Sequence, residues 1–153
     1  KALLSKGALA GANPGHGREV FEKTCSSCHK LYEKGGLIGP DITGANRTNI
    51  DYLLGNILTP SAIIQDAYRM QMVLMRDGRL YSGIPAVESE RVLELRVANQ
   101  EKPVALAKSQ IASREIAPVS MMPEGLLANL SDAEVLDLVA YLQKLKQVPL
   151  PKK

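Results

Sequence analysis

The 153-residue chain is 45% hydrophobic but only 4% aromatic, with five Tyr, one Phe and no Trp. Its aliphatic content supports a packed core and excludes disorder, its length fits one domain or one domain with a modest insertion, and it has no run of about 18 apolar residues to cross a membrane. A net charge of +3 with 23% charged residues is too balanced for a nucleic-acid or membrane surface, and two cysteines are too few for a disulfide scaffold.

Residues 1–14 form an N-terminal extension. Its apolar stretch, Ala2-Leu3-Leu4-Ser5-Lys6-Gly7-Ala8-Leu9-Ala10, is short and broken by Lys6 and Gly7. That is a weak signal-peptide pattern. With no initiator Met, the start reads as a processed or excised chain whose opening is a docked helical linker. The first full helix is predicted from Pro14 or Gly15 to the cysteines, with Asn13 as its N-cap. Gly17, Phe21 and Cys25 share one face of it, and His16 reads as an exposed loop residue beside it.

Cys25-Ser26-Ser27-Cys28-His29 follows. A zinc site needs four ligands, and only His16 and His29 are available besides the thiols. A thioredoxin-like pair needs a preceding strand, whereas the upstream residues are helix-like. Cys-x-x-Cys-His is also the signature of covalent haem attachment, with two thiols meeting the porphyrin vinyl edges and the next residue turning its imidazole to the iron. This last chemistry fits best, and it implies one covalent haem c per chain on Cys25, Cys28 and His29. Such a macrocycle supplies the large flat ring that the composition lacks. Leu37, Ile42, Leu53, Leu126 and Leu130 lie in the regions expected to pack against it.

Thr48 is the expected cap of a helix over Asn49–Leu58, stopped before Pro60, with another turn from Ser61. From Tyr68 the period changes. Arg69–Met75 is strand-like, Asp77-Gly78 reads as a two-residue hairpin turn, and Leu80–Ile84 returns. Arg91–Val97 alternates, Asn99–Lys102 turns, and Val104–Leu106 follows. These four or five short strands predict a small antiparallel sheet or barrel over 68–118. Its eight basic and six acidic residues read as a solvated face, and its two tyrosines make a poor stacking platform for nucleic acid. The last helix opens on a capping box, Ser131-Asp132-Ala133-Glu134, and continues with Val135, Leu138, Val139, Leu142 and Leu145 at helical spacing. Gly17 and Phe21 are expected to meet Leu138 and Tyr141. The fold class is therefore α+β: an all-α haem domain made of 15–67 and 119–153, interrupted by a β-insertion at 68–118.

An iron held by one imidazole needs a second axial ligand. Met70, Met72 and Met75 lie in a predicted strand, where packing is their expected role. Met121 and Met122 lie in Pro118-Val119-Ser120-Met121-Met122-Pro123-Glu124-Gly125, a broken segment that can be drawn across a haem face. Pro123 pushes Met122 to extended backbone and favours it over Met121; His16 is the remaining candidate. A thioether opposite imidazole raises the reduction potential and leaves no open position, which suits electron transfer.

These motifs, with Gly39-Pro40-Asp41-Ile42-Thr43-Gly44-Ala45-Asn46-Arg47, Asn49-Ile50-Asp51-Tyr52-Leu53-Leu54 and Ser120–Leu127, resemble a class I c-type cytochrome. The likeness is closer to the planctomycete-type haem-binding domain of dehydrogenase-like proteins, over about residues 15–147, with an insertion similar to an SH3-like barrel. The resemblance implies that Cys25 and Cys28 carry the thioethers, His29 is the proximal and Met122 the distal ligand. It also implies that the Pro40 carbonyl binds the far nitrogen of His29, and that Phe21 and Tyr141 meet where the terminal helices cross. The chain would be an electron-transfer protein rather than an enzyme. It would take electrons from a dehydrogenase-like donor, fused or free, and pass them to another redox protein in the periplasm or an equivalent exported space. A haem enzyme or small-ligand sensor would need a distal His or Arg, for which His16 and Arg47 are poor candidates. The β-insertion as a docking module is a third possibility. Two histidines, one committed to iron, leave little for a hydrolytic triad.

Overall fold

The computed structural model describes residues 2–153; Lys1, the first residue of the N-terminal extension, lies outside the described residues. The elements run α1 (Lys6–Ala10), α2 (Pro14–Thr24), α3 (Ile50–Leu58), β1 (Gln71–Met75), β2 (Leu80–Glu88), β3 (Val92–Arg96), β4 (Val104–Ala107), β5 (Ile111–Ile116) and α4 (Asp132–Leu142), with short 3₁₀ turns between them. The fold is α+β.

The terminal helices α2 and α4 form the spine of the helical body. Asn13 accepts a hydrogen bond from the His16 N–H at the start of α2, with Pro14 in its first turn. Ser131 and Glu134 form a reciprocal capping box on α4. The Ser131 backbone N–H also holds the Glu134 carboxyl below its usual range. The two helices cross at Gly17, where a Cβ would lie 1.9 Å from the Asp137 carbonyl oxygen. Only a residue without a side chain lets the backbones come so close. One turn on, the Phe21 and Tyr141 rings pack at 5.7 Å between centroids, tilted by 51°, a favourable arrangement for aromatic quadrupoles. Leu4, Val20, Leu31, Leu53, Leu138 and Val139 complete this core, and α1 packs on α4. Leu4 anchors the extension, so much of it is docked.

Three local expectations are corrected here. Asn49, not Thr48, caps α3, its side chain accepting from the Tyr52 N–H; the Thr48 carbonyl is engaged by the Gln143 side-chain amide at 3.0 Å. Leu145 does not continue the buried stripe of α4. The helix ends at Leu142, and Leu145 is 78% exposed, because the Leu142 and Lys144 carbonyls turn to the Arg47 guanidinium. His16 lies inside the first turn of α2 and pairs with Asp137 of α4 through Nδ1 at 2.7 Å.

The five strands make one antiparallel sheet in the order β4-β3-β2-β1-β5. Its core is separate from the helical one and consists of Val73, Met75, Leu93, Leu95 and Leu106. The β1–β2 connection is not a two-residue turn. Met75 N–H bonds the Arg79 carbonyl at 2.8 Å, leaving Arg76, Asp77 and Gly78 between them, with Gly78 at φ +90°. This is the three-residue loop that uses a left-handed glycine. Pro85 lies in the central strand, where proline normally breaks a ladder. It is tolerated because β2 pairs β1 only through Gly83, pairs β3 from Ile84 onward, and shifts register between Pro85 and Val87. The far end of β2 is tied across the sheet by Glu88, which meets Arg114 of β5 and Lys108, each at 2.7 Å. These partners hold the Glu88 carboxyl at about 2.

Candidate functional site

The Cys25–His29 segment continues the last turn of α2. Cys25 and Ser26 N–H groups both reach back to the Phe21 carbonyl, at 2.8 and 3.0 Å, and the His29 N–H bonds the Cys25 carbonyl at 3.0 Å. The helix thus ends in a compact turn that brings Cys25, Cys28 and His29 together. Both thiols are free and half-buried. Burial, with Cys28 alongside, pushes the Cys25 thiol up to about 12.

His29 is fixed by one bond. Its Nδ1 lies 2.9 Å from the Pro40 carbonyl oxygen. A carbonyl only accepts, so Nδ1 carries the proton in this contact, and Nε2 of the neutral ring keeps a lone pair that could bind a metal. The loop that brings Pro40 there is closely wound. Gly36 N–H bonds the Ser26 carbonyl at 2.7 Å, Gly39 N–H bonds the Cys28 carbonyl at 2.8 Å, and Ile42 N–H bonds the Lys30 carbonyl at 2.9 Å. A Cβ on Gly39 would fall 2.7 Å from His29 Cε1. Glycine at 39 is therefore the condition for the imidazole to stand against the loop.

Beyond Pro40, Asp41 accepts from the Thr43 N–H at 2.9 Å, which holds its carboxyl below the usual range. Arg47 then locks the loop to the end of α4. Its buried guanidinium donates to the carbonyls of Ile42 and Thr43, each at 3.0 Å, and to those of Leu142 and Lys144. It also lies 5.3 Å from the Tyr32 ring centroid, while the Tyr32 hydroxyl donates to the Lys144 carbonyl. The sequence offered Arg47 only as a weak distal group. Its observed work is structural, the planar fork of arginine satisfying carbonyls from two segments at once. No local pattern signals a contact between residues 95 apart.

Met122 lies on the segment that leaves β5, half-buried beside Met121. Among the described residues this segment and the His29 loop share no hydrogen bond; the helical body joins them. Of the other methionines, Met75 is buried in the sheet core. Arg96, Asn99 and Glu101 at the β3–β4 connection face Ser26, Ser27 and Leu37 across a cleft of about 340 Å³, which places that connection next to the cysteine turn.

The donor set fits a covalently attached haem. It offers two unpaired thiols, an imidazole with a free Nε2 and a thioether-bearing loop. Ile42, Leu54, Ile57, Leu127 and Leu130 are half-buried against the helical core, with apolar surface still uncovered by protein. No three or more His, Cys, Asp or Glu side chains converge as a metal cage among the described residues, and no described helix is long and apolar enough to cross a membrane. Residues 12–79 match the family model described as cytochrome C oxidase, cbb3-type, subunit III. The match supports a c-type cytochrome domain that binds haem and transfers electrons. It contains the cysteine turn and Pro40 but stops before β2, so Met122 and α4 fall outside it. No curated protein matches the chain.

Proposed function

We propose that this chain is a monohaem c-type cytochrome that carries single electrons from a dehydrogenase-like donor, fused or free, to another redox protein. The observation that carries the proposal is the 2.9 Å contact between His29 Nδ1 and the Pro40 carbonyl. It leaves Nε2 as a ligand beside two free thiols. Cys25 and Cys28 would hold the haem through thioether bonds, and His29 and Met122 would ligate its iron. When bound, haem supplies an iron that alternates between ferric and ferrous states, one electron at a time. The protein's part is to fix the ligands, bury the ring edges and set ligand basicity through Pro40.

Electron transfer is favoured over peroxide chemistry or ligand sensing because the polar groups such chemistry needs are committed. His16 pairs with Asp137, and all of the Arg47 contacts named above are to loop and helix-end groups. The two separate cores support an inserted domain at 68–118 within a body made of 15–67 and 119–153. Strand order and the register shift in β2 support the likeness of the insertion to an SH3-like barrel. The contact of Phe21 with Tyr141 where α2 and α4 cross, and that of His29 with the Pro40 carbonyl, are features the class I and planctomycete-type resemblance implies. Covalent haem c implies attachment in the periplasm or an equivalent exported space.

The test is spectroscopic. Met122→Ala is expected to abolish the weak Fe(III)–sulfur charge-transfer band of the oxidised protein and lower its reduction potential, while Met121→Ala keeps both. A band that survives in Met122→Ala overturns the distal assignment. A purified chain whose mass never includes haem overturns the whole reading.

A further inference from the structure

The segment from Ala117 to Gly125 is neither helix nor strand, yet it is fastened at defined points. Ala117 N–H donates to the Met70 carbonyl at 2.8 Å, sealing the end of the sheet. Ser120 N–H donates to Ser61 Oγ at 3.0 Å, and Met122 N–H donates to Ser120 Oγ at 3.1 Å. The backbone donors on both sides of Met121 thus end on serine hydroxyls.

Ser61 belongs to another part of the chain, the turn after α3. That turn is itself secured. Thr59 uses both its N–H and its Oγ1 on the Gly55 carbonyl, at 3.2 and 2.8 Å, and Ala62 N–H bonds the Thr59 carbonyl at 3.0 Å. Pro60 between them is buried. Further along, α3 packs on the 3₁₀ turn Leu126–Asn129, just past Met122. The methionine loop is therefore held to α3 on both of its sides.

We infer that Ser61 and Ser120 are positioning residues for Met122, two hydroxyls in series that fix its backbone and so limit how far its thioether swings from the sixth position of a haem iron. The inference rests on reading Met122 as the distal ligand. A methionine side chain has three rotatable bonds, so its sulfur is placed only as well as its Cα is held. Pro123 confines Met122 to extended backbone, and Ser120 fixes its N–H. Ser120 alone moves with the loop; Ser61 ties that loop to the helical body. A hydroxyl is needed at each point because it accepts from a backbone N–H. Threonine supplies the same acceptor and alanine does not.

The experiment uses the full haem-loaded chain, with carbon monoxide binding to the reduced form measured by stopped flow beside the charge-transfer band of the oxidised form. Met122→Ala is expected to lose the band and bind carbon monoxide freely. Ser61→Ala and Ser120→Ala are expected to keep the band at neutral pH but bind carbon monoxide roughly fivefold faster than wild type, the factor carried by one lost hydrogen bond. Ser61→Thr should return to the wild-type rate. If both serine-to-alanine variants match wild type in that rate while Met122→Ala has lost its band, the ligand reading stands and the clamp is wrong. A lowered melting temperature with an unchanged rate means the same. If Ser61→Thr is as fast as Ser61→Ala, the hydroxyl is not the cause and the clamp is again overturned. If Met122→Ala keeps the band and excludes carbon monoxide, the distal assignment itself fails.

Discussion

The helical body and the sheet are built on opposite plans. The sheet is regular: five consecutive strands bury Val73, Leu93 and Leu95 completely, and three of its four strand pairings join neighbours in sequence, with β1 to β5 the exception. In the helical body, the residues between Cys25 and Asn49 contain neither helix nor regular strand. Loop-to-loop bonds, one buried arginine and the α2–α4 crossing hold them instead. A scaffold of long-range single contacts keeps apolar surface and candidate ligand atoms available, whereas a regularly paired sheet consumes them. The candidate site therefore belongs to the less regular part.

The contrast can be broken from either side, and the largest effect is expected at the proposed haem attachment. Replacing Cys25 and Cys28 with Ser should eliminate covalently bound haem in the mass spectrum and strongly lower the melting temperature of the helical body. Hydrogen-exchange protection of the strands should persist. Loss of strand protection in step with the helices would show that the two cores are one cooperative unit. Leu93→Ala removes a wholly buried side chain of the sheet core and should cost about 2–5 kcal/mol in urea unfolding of the sheet. The haem spectrum should not change; a shifted spectrum would mean that the sheet core feeds directly into the site.

Gly17→Val strikes the helical side, placing a Cβ on the Asp137 carbonyl. Backbone cannot step aside as a flexible side chain can, so the cost should lie at the upper end of about 1–3 kcal/mol. It should appear in the helical transition alone, read by circular dichroism at increasing urea.

The smallest effect concerns Glu88, whose carboxyl is held at about 2 by hydrogen bonds from Arg114 and Lys108. Because its folded-state value is depressed, the stabilisation is fully present above the unfolded glutamate value of about 4.3. It is lost as pH falls through the folded value near 2. The pair is partly exposed, so Glu88→Gln should cost under about 1 kcal/mol at neutral pH. The urea midpoints of the variant and the wild type should converge as pH drops towards 2. A difference that stays constant down to that pH would show that charge is not the cause.

Much of this was legible because it is local. The caps at Asn13 and Ser131, the stripe of α4, the glycine and phenylalanine one turn apart in α2, and the alternation of Arg91–Val97 are all short-range patterns with a direct physical meaning. The Cys25–His29 spacing and the proline after Met122 are local signals of the same kind, and the proposed site rests on them. Local signals failed where two weak options competed. Thr48 and Asn49 both cap helices, and the pairing of Gln143 with the Thr48 carbonyl goes with the second. The Asp77-Gly78 turn signal was sound, but the register on either side added a residue to the loop.

By itself the sequence determined the main helices, four of the five strands and the contrast between aliphatic core and scarce aromatics, and it nominated the ligand residues, since each is written in residue type and spacing along a few turns of chain. Tertiary structure decided how the site is held. The Arg47 fork on the end of α4, the pairing of His16 with Asp137, the salt link of Glu88 across the sheet and the reach of Ser61 to the methionine loop all join residues far apart in sequence. Such contacts leave no periodic trace, because they depend on where the chain returns in space rather than on what stands next to each residue.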